Sequence, residues 1–93
     1  MTHKDESYLA KLENQIEEWR GKVDALALKA ERLTADARRS YDKALEERKA
    51  KLAAARQRLD ALRAIGSDKW EEGKATVESF WKEAKAVFEK PVP

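Results

Sequence analysis

Apolar or small residues recur along the first part of the chain at Leu9, Leu12, Ile16, Trp19, Val23, Leu26, Ala30, Leu33 and Ala37. Their spacing alternates three and four, the a/d pattern of a left-handed coiled coil. From Leu45 the stripe continues through Leu52, Ala55, Leu59 and Leu62, with Arg48 as a polar intruder. The two registers differ by one residue. Ala37, Tyr41 and Leu45 bridge them by two steps of four, an offset that locally relaxes a supercoil. Residues 34–44 contain neither Gly nor Pro. The pattern therefore predicts one helix over residues 7–65, roughly 85–90 Å long at the α-helical rise. Gly21 costs this helix about 1 kcal/mol relative to Ala.

The one strong turn signal is Ile65-Gly66-Ser67-Asp68. Gly66 suits a left-handed position closing the first helix. Asp68 with Glu71 three residues later forms a plausible capping box, and Ser67 is an alternative cap. A second helix is expected over about 68–90. Its stripe is Trp70, Val77, Phe80, Trp81, Ala84, Val87 and Phe88. An isolated helix of this length is marginal in water. Its six large apolar residues, at roughly 1.5–3 kcal/mol each when buried, drive it to dock as an antiparallel hairpin on the helix before the turn. Pro91 and Pro93 end it, and residues 1–6 are expected to fray.

The second helix covers only the C-terminal half of the long one, so residues 9–37 need another partner. Two solutions follow. The chain can bend near 34–41, where Thr34, Asp36, Ser40 and Asp42 weaken the helix, and close as segments 7–34, 41–65 and 68–90. Alternatively two straight chains pair antiparallel about Asp36 and Ala37, a swapped form of the same three-helix packing. The absence of a breaker favours the antiparallel homodimer, with Leu9, Leu12, Ile16, Trp19, Val23, Leu26, Leu33, Leu52, Ala55, Leu59 and Leu62 as the seam. In that dimer Trp19 of one chain meets Leu52, Ala55 and Trp81 of the other. Small residues facing large ones fill space.

Composition and charge refine this picture. The chain has 93 residues, no cysteine and 41% charged residues. It holds one small domain with neither disulfide nor thiolate metal site, so association is a natural source of extra burial. Residues 38–63 hold nine Lys/Arg against four Asp/Glu, and residues 1–37 hold six against eight. With Leu45, Leu52 and Leu59 at position a, Lys49, Lys51, Arg56, Arg58 and Arg63 fall at flanking sites, where charges select partner and orientation. No apolar run is long enough to span a bilayer, and the first residues lack a signal-peptide core. A soluble, cytoplasmic protein is expected.

Candidate chemistry is sparse. His3 is the only histidine, and a structural metal site normally needs three or four converging ligands. Ser7, Ser40, Ser67 and Ser79 lack a second histidine to serve as base. Glu17-Glu18, Glu46-Glu47 and Glu71-Glu72 read as solvated helix faces. No catalytic residue, cofactor or metal is expected, and the chain is read as a non-enzyme. Arg38, Arg39, Lys43, Arg48, Lys49 and Lys51 could form a phosphate-binding stripe. Asp42, Glu46 and Glu47 neutralise it, so nucleic acid is not the expected partner. The aromatic helix could instead lie on a membrane surface through Trp70, Val77, Phe80, Trp81, Val87 and Phe88. Its Lys and Glu residues balance, which removes attraction to anionic lipid. Leu28 lies off the apolar stripe and marks a further candidate contact.

Tyr8-Leu9-x-x-Leu12, Ile16-x-x-Trp19, Ala35-x-Ala37-x-x-x-Tyr41, Leu45-Glu46-Glu47 and Ser67-Asp68-x-Trp70-Glu71 with Gly73 and Phe80-Trp81 together resemble small bacterial coiled-coil domain proteins of unknown function. The likeness covers nearly the whole chain, and the Trp70–Trp81 ending is its most specific part. Some members are compared with apolipoprotein-type helices. The resemblance implies a helical fold and a bacterial setting, with no catalytic residue to carry over. The expected function is an oligomeric coiled-coil scaffold or protein-interaction module whose partners are itself and another protein. Lipid-surface binding is the second reading, and nucleic-acid binding through residues 38–51 the third.

Overall fold

A computed structural model describes residues 6–92, which fold as three helices: α1 (Glu6–Glu31), α2 (Ala35–Ala64) and α3 (Trp70–Glu89). A single 3-10 turn, Ser67–Lys69, joins α2 to α3. The protein is all-α, as its periodicity predicts, and packs as an elongated bundle of 57 × 17 × 17 Å. His3 and Pro93 lie outside the described residues.

The expectation of a single long helix is corrected. Residues 7–65 do not form one helix, because the chain leaves the helix after Glu31 and re-enters it at Ala35. The last turn of α1 tightens, with Arg32 N–H donating to the Lys29 carbonyl at 3.2 Å and Leu33 N–H to Ala30 at 3.2 Å. Thr34 then adopts an extended backbone (φ −65°, ψ 163°) before α2. The physical reason is burial. Bending here lets the apolar stripe of α1 close on α2 and α3 of the same chain, with no association entropy to overcome. The bend falls at the edge of the segment expected to weaken. Asp36, Ser40 and Asp42 stay helical, and only Thr34 leaves the helix.

The second turn follows its signal in place but not in conformation. Gly66 is not left-handed; among the described residues no positive φ occurs. Ile65 exits α2 in an extended conformation (φ −73°, ψ 146°), so no left-handed residue is needed to redirect the chain. A Cβ on Gly66 would meet only the carboxylate of the exposed Asp68, at 2.8 Å, which that side chain can relieve by turning. The expected capping box does not start α3 either. Lys69 occupies the N-cap position, without a side-chain cap bond.

The core joins faces of all three helices. Leu9, Leu12, Ile16, Trp19 and Val23 of α1 meet Ala55, Leu59 and Leu62 of α2 and Trp70, Val77, Phe80, Trp81, Ala84 and Phe88 of α3. Helices α1 and α3 run parallel, both opposed to α2, and meet through long aromatic side chains. Tyr8 sits edge-on to Trp70 with centroids 6.1 Å apart, and Trp19 stacks on Trp81 at 5.2 Å. Both pairs have the same sequence separation, so one register serves the whole seam.

Gly21 sits on the exposed face of α1, and a Cβ there would meet nothing within 4 Å. Nothing offsets its helix cost. Gly21→Ala is expected to stabilise the bundle by about 0.5–1 kcal/mol, seen as a higher urea midpoint with an unchanged slope. An unchanged midpoint would sink this reading of the position.

Candidate interaction surfaces

The residues expected to bind another chain are mostly consumed inside this one. Leu9, Leu12, Ile16, Trp19, Val23 and Leu26 are buried, and Leu33, at the bend, is half-buried. Ala55, Leu59 and Leu62 are buried, and Leu52 packs partly covered against the same core. Of the company expected for Trp19, Trp81 stands against it within the same chain, while Ala55 belongs to the same core and Leu52 packs against that core. Trp19 is 1% exposed. It stacks on Trp81 and lies nearly parallel to Phe88, with centroids 4.8 Å apart at 4°. Ala37 departs from expectation: it is exposed, together with all of residues 34–40.

The aromatic face of α3 also points inward. Trp70, Val77, Phe80, Trp81 and Phe88 are buried, and Val87 is half-buried. Lys51 and Arg58 of α2 stand over the Phe80 ring, at 5.6 and 4.8 Å from its centroid. These two flanking cations therefore cover an aromatic edge of the hairpin. Trp81 Nε1 is buried with no hydrogen-bond acceptor among the described residues. Its ring is held by stacking rather than by its polar atom. No described helix is long and apolar enough to cross a membrane.

The basic stripe does not survive as one surface. Arg48, which interrupts the apolar pattern, is only 4% exposed. Its Nη2 donates to the Lys90 carbonyl at 2.7 Å and its Nη1 to the Ala44 carbonyl at 3.2 Å. The side chain thus crosses from α2 to the C-cap of α3. A buried cation at a helix C-terminus meets the negative end of the helix dipole and satisfies a carbonyl left over there. Lys90 Nζ lies 3.7 Å from Glu47, which ties the same junction from the other side. Arg38 pairs with Asp42 at 3.7 Å. Sequence alone marks Arg48 as an intruder but not as a cap, because its acceptor lies on another helix.

Two other flanking cations converge on α1. Arg63 donates to Glu13, and Arg56 lies 3.4 Å from the same carboxylate. They stand two turns apart on α2 and grip one acid, which fixes the antiparallel register. The hydrogen bond from Arg63 holds the Glu13 carboxyl below its ordinary value of 4.5, with Arg56 adding to the effect against opposing desolvation. The unfolded chain therefore binds the proton more readily. The stability this clamp contributes is present above pH about 4.5 and is lost as pH falls through the lower folded value. The groups are partly exposed, so salt screens the effect. Glu13→Gln is expected to remove this acid component from the urea midpoint. An identical acid profile in the variant would show that the clamp does not contribute.

Two further surface features are present. Leu28 is 60% exposed, the one large hydrophobic residue so placed among the described residues. A shallow groove of about 400 Å³ runs between α2 and α3, lined by residues that include Ala54, Arg58, Ala61, Ile65, Gly73 and Val77. Gly73 opens it by close approach: a Cβ there would fall 2.7 Å from Ile65 Cδ1. The glutamate pairs Glu17-Glu18, Glu46-Glu47 and Glu71-Glu72 all lie on exposed helix surface, as do Ser7, Ser40 and Ser79. Among the described residues, no three acidic, histidine or cysteine side chains are placed to share a metal ion. No protein-family model, curated protein or solved structure matches the chain.

Proposed function

We propose that the protein is a non-catalytic helical interaction module that presents the charged outer faces of a narrow bundle to another protein. One observation carries the reading. The large apolar side chains of the described residues are spent almost entirely on the internal core, and Leu28 is left on an otherwise polar surface. A single exposed leucine is common in itself. Here it lies off the stripe that organises its own helix, which makes it the natural first point of contact.

Affinity capture from the native cell lysate tests this, comparing the wild-type chain with Leu28→Glu. The expected result is a protein retained by the wild type and lost with the variant, while helical content stays the same. Equal capture by both would exclude Leu28 as the contact. No capture above a helical-bundle control would count against the module itself.

The lipid reading requires more rearrangement. Trp70, Phe80, Trp81 and Phe88 would have to leave the core before touching a membrane, giving up contacts worth roughly 1.5–3 kcal/mol each. Co-sedimentation with neutral and anionic vesicles checks it directly. The nucleic-acid reading loses Arg48 from its stripe, because that guanidinium is committed to the end of α3.

A further inference from the structure

The two turns of the bundle are built differently. The α2–α3 turn carries Gly66, a residue in extended conformation and a 3-10 turn. The α1–α2 turn carries weaker boundary signals. Its residues are Arg32, Leu33 and Thr34, with no Gly or Pro. Thr34 stands at the N-cap of α2 but makes no side-chain cap bond. The segment from Thr34 to Ser40 is exposed and gains no burial from the closed form. Apart from Thr34, a mild helix weakener, nothing local opposes the joining of α1 and α2 into one helix. What holds the bend is the packing of α1 on its own chain.

That packing can be made equally by a second chain. The Glu13 clamp to Arg56 and Arg63, and the stacking of Trp19 on Trp81 and Phe88, join α1 to the α2–α3 hairpin. None of them depends on which chain supplies α1. We propose that a second copy of this chain is a partner, and that two copies exchange α1 by straightening residues 32–34. The exchanged dimer repeats the core contacts of the monomer. It also restores the helical hydrogen bonds lost at the bend and brings the exposed 34–40 segments of two chains together. Short connections under constraint are where such exchange arises. The inference goes beyond the interaction-module reading and does not depend on Leu28.

Two substitutions at the bend separate exchange from ordinary association. Ala35 is the first residue of α2, where an N–H has no intrahelical acceptor and proline is well accommodated. Thr34 before it is already extended, as a residue preceding proline must be. Ala35→Pro therefore suits the closed monomer and obstructs a continuous helix. Thr34→Ala removes a poor helix former without removing a cap bond.

The full chain would be refolded over a concentration range up to about 1 mM, where mass action favours association, and sized by light scattering after gel filtration. The expected result is a dimer fraction that rises with refolding concentration. Ala35→Pro should raise the dimer dissociation constant by at least about a hundredfold, and Thr34→Ala should lower it. A wild-type chain that stays monomeric throughout overturns the proposal. So does a dimer that Ala35→Pro leaves unchanged, since face-to-face pairing would not need the bend to straighten. Should Ala35→Pro lose its helical circular dichroism, Thr34→Ala decides: no increase in dimer overturns exchange.

Discussion

Replacing Trp19 with alanine is expected to destabilise the bundle by about 3–5 kcal/mol, the range for removing a buried large aromatic. A domain of this size is stable by roughly 5–15 kcal/mol, so one side chain controls a large share of the total. The reason is position. Trp19 is the most enclosed large side chain of α1, and its ring faces both Trp81 and Phe88 of α3. Truncation removes the transfer free energy of the indole and leaves a cavity between helices that meet through aromatic rings. Trp19→Phe keeps an aromatic surface in the site and should cost about 1–2 kcal/mol. Urea unfolding followed by circular dichroism measures both. A Trp19→Ala chain within 1 kcal/mol of wild type would mean that the stack is not the centre of the core.

The second large effect is expected at Arg48. Arg48→Ala should cost about 2–3 kcal/mol through the loss of charge-assisted hydrogen bonds and buried side-chain stem. It should also loosen the last turn of α3, because the Lys90 carbonyl loses its cationic partner. Arg48→Met keeps most of the stem and removes the charge, and buried ions are often replaceable by apolar groups of similar size. The methionine chain should therefore be the more stable of the two, while amide exchange near Phe88 and Glu89 is faster than wild type in both. Unaltered exchange in that turn would show that Arg48 fills space without capping the helix.

Much of this architecture is legible in the sequence, and the exceptions share a cause. The α3 stripe from Trp70 to Phe88 identifies its buried face, because three-four spacing on one helix is a local property. Gly66 marks the second turn for the same reason. The bend at residues 32–34 carries only a weak local mark, Thr34 at the edge of a run of mild helix weakeners. The bend exists because the stripe on α1 can be covered by α2 and α3 of the same chain together, a long-range condition that propensity does not report. The cap made by Arg48 is hidden in the same way, since its acceptor lies 42 residues away. The Glu13 clamp falls between. Arg56 and Arg63 stand at flanking positions that spacing reveals, but their common acid is fixed only once α1 and α2 are opposed. Trp81 is legible in the sequence as a partner of Trp19, whereas the stacking of Phe88 on the same ring depends on the parallel placement of α1 and α3.

The parallel seam between α1 and α3 has a consequence for how the chain reaches this structure. Each helix lies next in sequence to α2, so either hairpin can form from neighbouring segments at low loop-closure cost. The rings of Tyr8, Trp19, Trp70, Trp81 and Phe88 come from opposite ends of the chain. Their contacts require both hairpins to be in place and so are expected to form late in folding. Interactions that form late act chiefly on the rate of unfolding. The aromatic seam is then a latch, which sets how long the bundle stays closed more than how quickly it closes.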